Sequence, residues 1–205
     1  MRIVGGRLRG RTLIAPRSQA IRPTADRLRE TLFNILVHAY GDPVTGARVL
    51  DLFAGTGALG LEAISRGAKF AQFVDDGAEA RALIRQNVEA LGMAAATRIF
   101  RRDATKLGAA HPAAPFSLVF LDPPYGKGLA EQALGSALQG GWLTDDPLII
   151  VEESAGMFKT PDGFEEIERR QYDDTEFTIL RRNGERHPGR SAGPIRDPSF
   201  DTRQS

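Results

Sequence analysis

Apolar positions in the central part of the chain fall into two patterns: short continuous runs and longer stretches with helical spacing. From residue 46 onward the two patterns alternate, which is typical of an α/β fold built on a mostly parallel sheet. The short runs predict strands at Val49 to Phe53, Phe70 to Val74, Arg98 to Phe100, Leu118 to Leu121 and Leu148 to Val151. The longer stretches predict helices near Ala58 to Ser65, Ala78 to Leu91 and Leu129 to Leu138.

The pattern is different before residue 46. Residues 1–22 mix short apolar pairs with glycine and arginine, which indicates a small hairpin or an extended arm. An apolar stripe at helical spacing then predicts a helix at about residues 25–40.

The pattern also changes after Val151. Two strand-like segments, 164–170 and 176–180, flank a turn-prone Tyr-Asp-Asp sequence, so they predict an antiparallel hairpin at one edge of the sheet. Residues 184–205 contain few large apolar side chains, and we expect a flexible, non-catalytic tail there.

A glycine-rich loop, residues 51–60 (DLFAGTGALG), follows the first predicted strand and leads into a helix. Strand, glycine turn and helix together are typical of nucleotide binding, because glycine lets the backbone pass close to a ligand. The spacing of Gly55, Gly57 and Gly60 also fits the dinucleotide sites of oxidoreductases. However, a carboxylate at Asp51 would repel a pyrophosphate and would attract a cation such as the methionine ammonium of S-adenosylmethionine. We therefore favour S-adenosylmethionine as the ligand over NAD.

Two further acidic residues follow the next predicted strands. Asp75 is placed to contact a ribose diol, which both classes of cofactor contain. Asp103 could accept a hydrogen bond from an adenine amino group, with the neighbouring backbone at Ala104 contacting the ring edge. A solvated loop aspartate is the plainer interpretation of Asp103.

The fourth predicted strand is followed by a tetrad that we call the DPPY tetrad. Its members are Asp122, Pro123, Pro124 and Tyr125. The carboxyl end of a strand is where open α/β sheets bind ligands. A rigid turn is the structural alternative, but the upstream glycine loop favours a functional site.

The DPPY tetrad suits the methylation of an exocyclic amino nitrogen, whose lone pair is delocalised into the ring of a base. The Asp122 carboxylate and the Pro123 carbonyl can accept the two amino hydrogens, and Tyr125 can stack on the base. The double proline stiffens the direction of that carbonyl. The sequence therefore predicts an amino-group methyltransferase in which positioning and electrostatics supply the rate.

Charge is concentrated at the N-terminus. The first thirty residues contain eight arginines and two acidic residues, a local charge of +6, whereas the whole chain carries only +1. Clustered guanidinium groups neutralise phosphates and release counterions, so this segment is the candidate for nucleic-acid binding. A solvated basic surface is the plainer alternative.

The chain contains no cysteine, which excludes a thiol nucleophile and a thiolate metal site and fits a reducing compartment. No segment has the uncharged apolar length of a membrane span or of a signal peptide. These features predict a cytoplasmic protein that binds no metal and no membrane.

The N-terminal motif narrows the choice of family. Residues 22–34 (RPTADRLRETLFN), together with MRIVGG at 1–6, the glycine loop and the DPPY tetrad, resemble the bacterial 16S ribosomal RNA methyltransferases that modify N2 of guanine 966. The resemblance covers about residues 1–182. The family often has Glu at the position of Asp75, and the tail has no counterpart in it.

The resemblance implies a seven-stranded class I methyltransferase sheet of Rossmann-like type, with an antiparallel last strand and a small N-terminal extension. It implies an RNA-binding extension at 1–40, a catalytic domain at 41–183 and a tail at 184–205. The implied substrate is 16S ribosomal RNA, within a small-subunit particle, and the protein is expected to be a monomer. The implied methyl donor is S-adenosylmethionine, with S-adenosylhomocysteine as product.

The resemblance also assigns roles to individual residues. Those implied to act on the target base are Asp122, Pro123, Pro124 and Tyr125. Those implied to bind the cofactor are Asp51, Phe53, Gly55, Thr56, Gly57, Asp75, Asp103 and Ala104. Those implied to contact RNA are Arg2, Arg7, Arg9, Arg11, Arg22, Arg27 and Arg29.

Three alternatives stay open on sequence grounds. The tetrad chemistry would also serve methylation of adenine in DNA or of a glutamine in a protein. The glycine spacing alone would serve an NAD-dependent oxidoreductase. The basic N-terminus alone would serve a non-enzymatic RNA-binding or assembly factor.

Overall fold

A computed structural model describes residues 1–16 and 23–184, which leaves Arg22 and the predicted tail from residue 185 outside the described ranges. Four α-helices are described: α1 (Pro23–Ala39), α2 (Ala58–Ser65), α3 (Ala78–Ala90) and α4 (Leu129–Gln139). The strands are β1 (Arg48–Leu52), β2 (Phe70–Val74), β3 (Thr97–Phe100), β4 (Phe116–Leu121), β5 (Leu143–Ser154), β6 (Phe164–Tyr172) and β7 (Thr175–Arg182). The predicted alternation of strands and helices is confirmed.

The seven strands form one sheet in the order β3-β2-β1-β4-β5-β7-β6. The five strands from β3 to β5 are parallel, whereas β7 is antiparallel to both of its neighbours. This is the predicted class I methyltransferase arrangement with an antiparallel last strand. The strand order reverses beside β1, so the carboxyl ends of β1 and β4 lie next to each other, where α/β sheets bind ligands.

Strand β5 is longer than predicted. It begins at Leu143, which pairs with Phe116, and it continues to Ser154. Polar residues and a proline at 144–147 interrupt the apolar pattern, so the sequence pattern alone indicated only the segment from Leu148. Pairing with the neighbouring strand overrides the local preference of these residues.

Apolar side chains cover both faces of the sheet. On one face, Val49 and Phe120 pack against residues of α1, α2 and α3, such as Phe33. On the other face, Leu50 and Val119 pack against α4. The alternation of successive strand residues between the faces places both sets in the core.

The N-terminal segment 1–14, which we call the arm, packs onto the α1–α3 face. Ile3 and Leu13 are buried in that core, and Arg2 and Thr12 form an antiparallel bridge. The arm is therefore folded against the sheet domain. Within residues 1–16 and 23–184, none of the helices is long and apolar enough to cross a membrane.

Candidate active site

Acidic side chains lie at the carboxyl ends of five adjacent parallel strands. The strand order places these ends in one row, although they are far apart in the sequence. The residues in this row, from β3 to β5, are Asp103, Asp75, Asp51, Asp122 and Glu152. The fold therefore brings the predicted cofactor residues and the predicted catalytic aspartate to one edge of the sheet.

The glycine loop has a tight backbone conformation with three left-handed residues. Gly55 and Gly57 have φ of 56° and 78°, and Phe53, which is not a glycine, has φ of 59°. Such a conformation is strained for a residue with a side chain and is often found at functional sites. The strain at Phe53 coincides with its predicted place in the cofactor site.

Gly60 has a different role, because its own φ is not left-handed. A Cβ atom added at Gly60 would lie 2.4 Å from Cε1 of Phe73 on β2 and 3.1 Å from Oδ2 of Asp51. Only glycine therefore lets α2 start this close to the sheet. The third glycine of the loop serves the packing of helix against strand.

Asp51 is almost fully buried, with 1% of its surface exposed. Its Oδ2 atom accepts a hydrogen bond from the Gly60 N–H at 2.9 Å, and no described residue donates to Oδ1. Burial raises the pKa of the Asp51 carboxyl to about 8, against the lowering effect of the Gly60 hydrogen bond. A buried carboxylate with one oxygen unpartnered is suited to receive a cationic group.

The Asp75 carboxylate binds the backbone of two turns. Its Oδ2 accepts the Gly55 N–H at 2.9 Å, and its Oδ1 accepts the Gly77 N–H at 2.8 Å. The carboxylate therefore fixes the glycine loop to the end of β2, a contact that the sequence did not reveal. Each oxygen keeps a second lone pair, which leaves the predicted ribose contact open.

Asp103 caps a short 3₁₀ turn. Its Oδ1 accepts hydrogen bonds from the Thr105 backbone N–H at 2.8 Å and from the Thr105 hydroxyl at 2.7 Å. These bonds hold the pKa of the Asp103 carboxyl below its usual range. Ala104 is buried beside it. The Oδ2 atom is left for the adenine contact that the sequence predicted.

The DPPY tetrad continues β4 into the open cleft. The Asp122 N–H donates to the Leu52 carbonyl at 3.4 Å, so Asp122 still follows the line of the strand. Pro123 is buried, whereas Pro124 and Tyr125 are exposed. The tyrosine ring is therefore available to stack on a ligand.

The Asp122 side chain is open to solvent within the cleft. Protein atoms crowd the cleft around it, and this loss of hydration raises the pKa of its carboxyl well above the usual range. The negative charge of Glu152 raises the pKa further. Asp122 therefore has an electrostatic environment that favours a ligand able to donate hydrogen bonds or carry positive charge.

Glu152 and Glu153 are residues that our sequence interpretation missed. The Tyr125 hydroxyl donates to Glu152 Oε1 at 2.8 Å, and the Gly126 N–H donates to Glu153 Oε1 at 2.9 Å. Glu153 is buried, so it holds the loop after the tetrad in place. Two adjacent carboxylates at the end of an apolar strand were the signal that could have identified them.

The arm is attached to α2 by buried polar contacts. Glu62, which has no exposed surface, accepts the Val4 N–H at 2.9 Å and forms an ion pair with Arg66 at 2.7 Å. Ser65 donates to the Gly5 carbonyl at 2.6 Å through its hydroxyl. Because α2 starts at the glycine loop, the arm is anchored to the element that shapes the predicted cofactor site.

Asn87 on α3 links the arm directly to the glycine loop. Its Oδ1 accepts the Ile14 N–H at 2.7 Å, and its Nδ2 donates to the carbonyls of Ile14 and Thr56 at 2.9 and 3.0 Å. The side chain is completely buried. One amide group therefore satisfies backbone atoms of both segments.

The predicted RNA-contacting arginines differ in their environments. Those with exposed side chains are Arg2, Arg7, Arg9, Arg11 and Arg27. Two of them reach α3 or the turn that follows it: Arg7 approaches the Met93 sulfur at 3.0 Å, and Arg11 donates to the Ala90 carbonyl at 2.8 Å. Arg22 lies outside the described residues.

Arg29 is not a surface residue. It is 5% exposed, and its guanidinium contacts Asp26 at 2.8 Å and Glu62 at 3.6 Å. It also donates to the Arg2 carbonyl. A phosphate cannot reach a group held in this way, so we remove Arg29 from the proposed RNA surface.

Gly6→Ala is expected to detach the arm. Gly6 has φ of 72°, and an added Cβ would lie 2.1 Å from the Ser65 backbone oxygen. Gly10→Ala is a matched control, since Gly10 has φ of 86° but no atom lies within 4 Å of an added Cβ. Each variant loses about 1–2 kcal/mol through the left-handed backbone, and Gly6→Ala loses at least about 2 kcal/mol more. Urea unfolding measures both, and equal losses would contradict the described docking.

Residues 1–181 match the sequence model of a family described as Conserved hypothetical protein 95. The chain belongs to this family. Among its relatives is ribosomal RNA small subunit methyltransferase D of Escherichia coli K12, which is 44% identical over 153 residues, 74% of each chain. The protein of that name from Haemophilus influenzae is 37% identical over 154 residues, covering 74% of this chain and 78% of the relative.

The structural comparison agrees with the membership in the hypothetical protein 95 family. A solved Escherichia coli structure superimposes with a TM-score of 0.74 and 34% identity, over 90% of this chain and 98% of the other. The family match spans the arm, the glycine loop and the DPPY tetrad together. The predicted resemblance over about residues 1–182 is therefore confirmed.

Proposed function

We propose that this protein transfers a methyl group from S-adenosylmethionine to the exocyclic N2 of a guanine in 16S ribosomal RNA of the small subunit. The observation that carries the proposal is the position of the DPPY tetrad at the end of β4, beside the glycine loop at the end of β1. The relatives named as small-subunit ribosomal RNA methyltransferases support an RNA substrate.

The loop chemistry supports a cationic nucleoside cofactor over a dinucleotide. The N–H groups of the three loop glycines are already engaged: Gly55 with Asp75, Gly57 with the Ala54 carbonyl and Gly60 with Asp51. A pyrophosphate depends on such N–H groups and would meet two carboxylates in their place. S-adenosylmethionine, by contrast, supplies an ammonium group and a positively charged sulfonium methyl.

Within the proposed reaction, Asp51 holds the ammonium group, Asp75 contacts the ribose and Asp103 contacts the adenine amino group. The main chain at Phe53, Thr56 and Ala104 completes the pocket. Asp51 is the residue for which the fit is strongest, because its Oδ1 atom has no donor among the described residues.

The target base is positioned by the DPPY tetrad. The carboxylate of Asp122 and the carbonyl of Pro123 accept the N2 hydrogens and turn the nitrogen lone pair towards the methyl carbon. The new N–C bond forms as the C–S bond breaks, and the electron pair of that bond stays on sulfur. The negative charge of Asp122 stabilises the transient positive charge on the nitrogen, which then gives one proton to the Asp122 carboxylate, and from there the proton passes to water.

The RNA would be bound by the N-terminal extension, which we assign to residues 1–40, beside the catalytic domain at 41–183. Arg2 and Arg9 line a small surface concavity together with Glu30. Their exposed guanidinium groups suit phosphate contacts.

Labelled S-adenosylmethionine and small subunits that lack the modification test the proposed function. We expect label in 16S RNA and, after digestion, in N2-methylguanosine. Label in adenine of DNA or in a protein glutamine would favour those alternatives. Tight NAD binding without binding of S-adenosylhomocysteine would favour an oxidoreductase, and RNA binding without any cofactor binding would favour an assembly factor.

Cofactor affinity is expected to depend on pH through Asp51. Its carboxyl has a pKa of about 8, so at pH 6 it is protonated and must release a proton before it can pair with an ammonium group. From pH 8 to pH 6, affinity for S-adenosylhomocysteine should fall by up to about fiftyfold, because the ionised fraction of Asp51 falls from about one half to about one hundredth. Calorimetry in two buffers of different ionisation enthalpy measures the released proton. In Asp51→Asn the affinity should be lower and independent of pH over this range. If affinity in Asp51→Asn depends on pH as it does in the wild-type protein, Asp51 does not hold the ammonium group.

RNA affinity is expected to fall steeply with salt through the arm. The double variant Arg2→Ala with Arg9→Ala should lower the slope of log affinity against log salt by about 1–2, since each phosphate contact contributes about 0.7–0.9. Arg85→Ala with Arg98→Ala removes two exposed arginines outside the extension and serves as the control. Filter binding at several salt concentrations measures both, and equal slopes in the two variants would exclude a specific role of the arm.

A further inference from the structure

Glu152 lies directly beside the catalytic aspartate of the proposed reaction. Leu121 of β4 pairs with Val151 of β5, and both side chains pack on the α4 face of the sheet. Since successive strand residues alternate between faces, Asp122 and Glu152 both point to the opposite face. Neighbouring strands lie about 4.8 Å apart, so the two carboxyl groups line the same part of the cleft.

One oxygen of Glu152 is held in place and the other is open. Oε1 accepts the Tyr125 hydroxyl at 2.8 Å, and no described residue donates to Oε2. The residue is half-buried, so Oε2 can be reached from the cleft. Burial raises the pKa of the Glu152 carboxyl above its usual range, and the Tyr125 hydrogen bond and the positive charge of Arg29 on the α1 side act against this rise. Glu152 therefore presents a fixed acceptor next to Asp122.

Guanine and adenine differ in what they present to two adjacent acceptors. The edge of guanine carries the N1–H donor next to the N2 amino group, so it offers donors to both carboxylates. Adenine carries an acceptor at N1 next to its N6 amino group, and a second carboxylate would face a lone pair.

We propose that Glu152 determines the base specificity by accepting a hydrogen bond from guanine N1–H through Oε2, while Asp122 accepts from the N2 amino group. The inference rests on the proposed function, because it concerns the base bound at the same site. Tyr125 has two tasks in this arrangement: its ring stacks on the base and its hydroxyl orients Glu152. Loss of the N1–H would leave Oε2 of Glu152 without a donor, and sites built around a hydrogen bond to the substrate discriminate strongly against such analogues.

The base analogue 2-aminopurine tests the contact, because it keeps the amino group at position 2 but has no hydrogen at N1. Small subunits are assembled from ligated 16S RNA with either guanine or 2-aminopurine at the methylated position. The measured quantity is kcat/KM for transfer of labelled methyl to each base. We expect the wild-type protein to prefer guanine over 2-aminopurine by about a hundredfold or more. Glu152→Ala should prefer guanine by less than about tenfold. 2-Aminopurine also lacks the O6 atom of guanine. This difference affects the wild-type protein and Glu152→Ala alike, so it cancels when their preferences are compared.

Two variants and one binding measurement complete the design. Glu152→Gln keeps an acceptor oxygen and should retain an intermediate preference, whereas Glu165→Ala, on the exposed surface of β6, should keep the wild-type ratio. Binding of S-adenosylhomocysteine shows that each variant is folded. If Glu152→Ala slows both bases equally, or if the wild-type protein accepts 2-aminopurine as readily as guanine, the inference is overturned. If no guanine is methylated at all, it is the proposed function that fails.

Discussion

We expect Asp122→Ala to lower the rate of RNA methylation by about a hundred- to a thousandfold, which is the usual effect of removing one preorganised electrostatic group from a transition state. The substitution removes an acceptor for an amino hydrogen and the negative charge that faces the nitrogen as it becomes positive. The effect is expected in kcat, because both interactions strengthen as the new bond forms.

The control for Asp122→Ala is Asp122→Asn, which keeps one acceptor oxygen without the charge. We expect its rate to lie between those of the wild-type protein and Asp122→Ala. Binding of S-adenosylhomocysteine should change little in either variant. Single-turnover transfer of labelled methyl to small subunits measures the chemical step, and an unaffected rate in Asp122→Ala would remove Asp122 from the mechanism.

The same substitutions should stabilise the fold at neutral pH. Asp122 has a folded-state pKa above its ordinary value, so the folded protein binds this proton more tightly than the unfolded chain does. The resulting penalty is absent at low pH and grows as the pH rises above about 4, the ordinary pKa of Asp. Asp122→Asn should therefore raise the melting temperature at pH 8 relative to the wild-type protein and leave it nearly unchanged at pH 4. If the melting temperatures of Asp122→Asn and the wild-type protein differ by the same amount at pH 8 and at pH 4, the raised pKa is contradicted.

We expect Glu62→Ala to lower the free energy of unfolding by about 3–5 kcal/mol, the range for breaking a buried ion pair by removing one partner. Glu62 has no exposed surface, and without it the buried Arg29 loses one of its two ion-pair partners, Asp26 and Glu62. Val4 loses the acceptor of its N–H at the same time.

Urea unfolding at neutral pH measures the loss in Glu62→Ala. Glu89→Ala on α3 is the matched control, because this exposed glutamate should change stability by less than about 0.5 kcal/mol. The double variant of Glu62→Ala with Arg29→Ala should lose less than the sum of the single losses, because it leaves no uncompensated charge at 29. Additive losses would show that the two residues do not interact.

Much of the fold was predictable because the signals are local. The bounds of β2 and α2 agree with the predicted Phe70 to Val74 and Ala58 to Ser65. Apolar periodicity and glycine punctuation act over a few residues, so a single sequence contains them. The start of β5 was missed because the pairing of its first residues depends on the neighbouring strand β4 and not on their own preference for a strand.

The arginine-rich segment shows the limit of the sequence pattern. Arg27 is exposed and Arg29 is buried, although both lie in one basic stretch of α1. Arg29 precedes Leu32 and Phe33 by three and four residues, so helical geometry places it on the apolar face. Which arginine is available to RNA depends on what that face packs against, and here the neighbour is Glu62 of α2.

The DPPY tetrad and the glycine loop, and with them the type of chemistry, were determined by the sequence itself, since each motif is contiguous and its role depends on a local strand-to-loop transition. Tertiary structure alone decided which residues lie beside these motifs: Glu152 lies beside Asp122, and Asp75 accepts the Gly55 N–H. The physical reason is the order of the parallel sheet, which places residues distant in sequence within one strand spacing of each other. Local patterns therefore predicted the candidate reacting groups, and the packing of the strands decided which groups surround them.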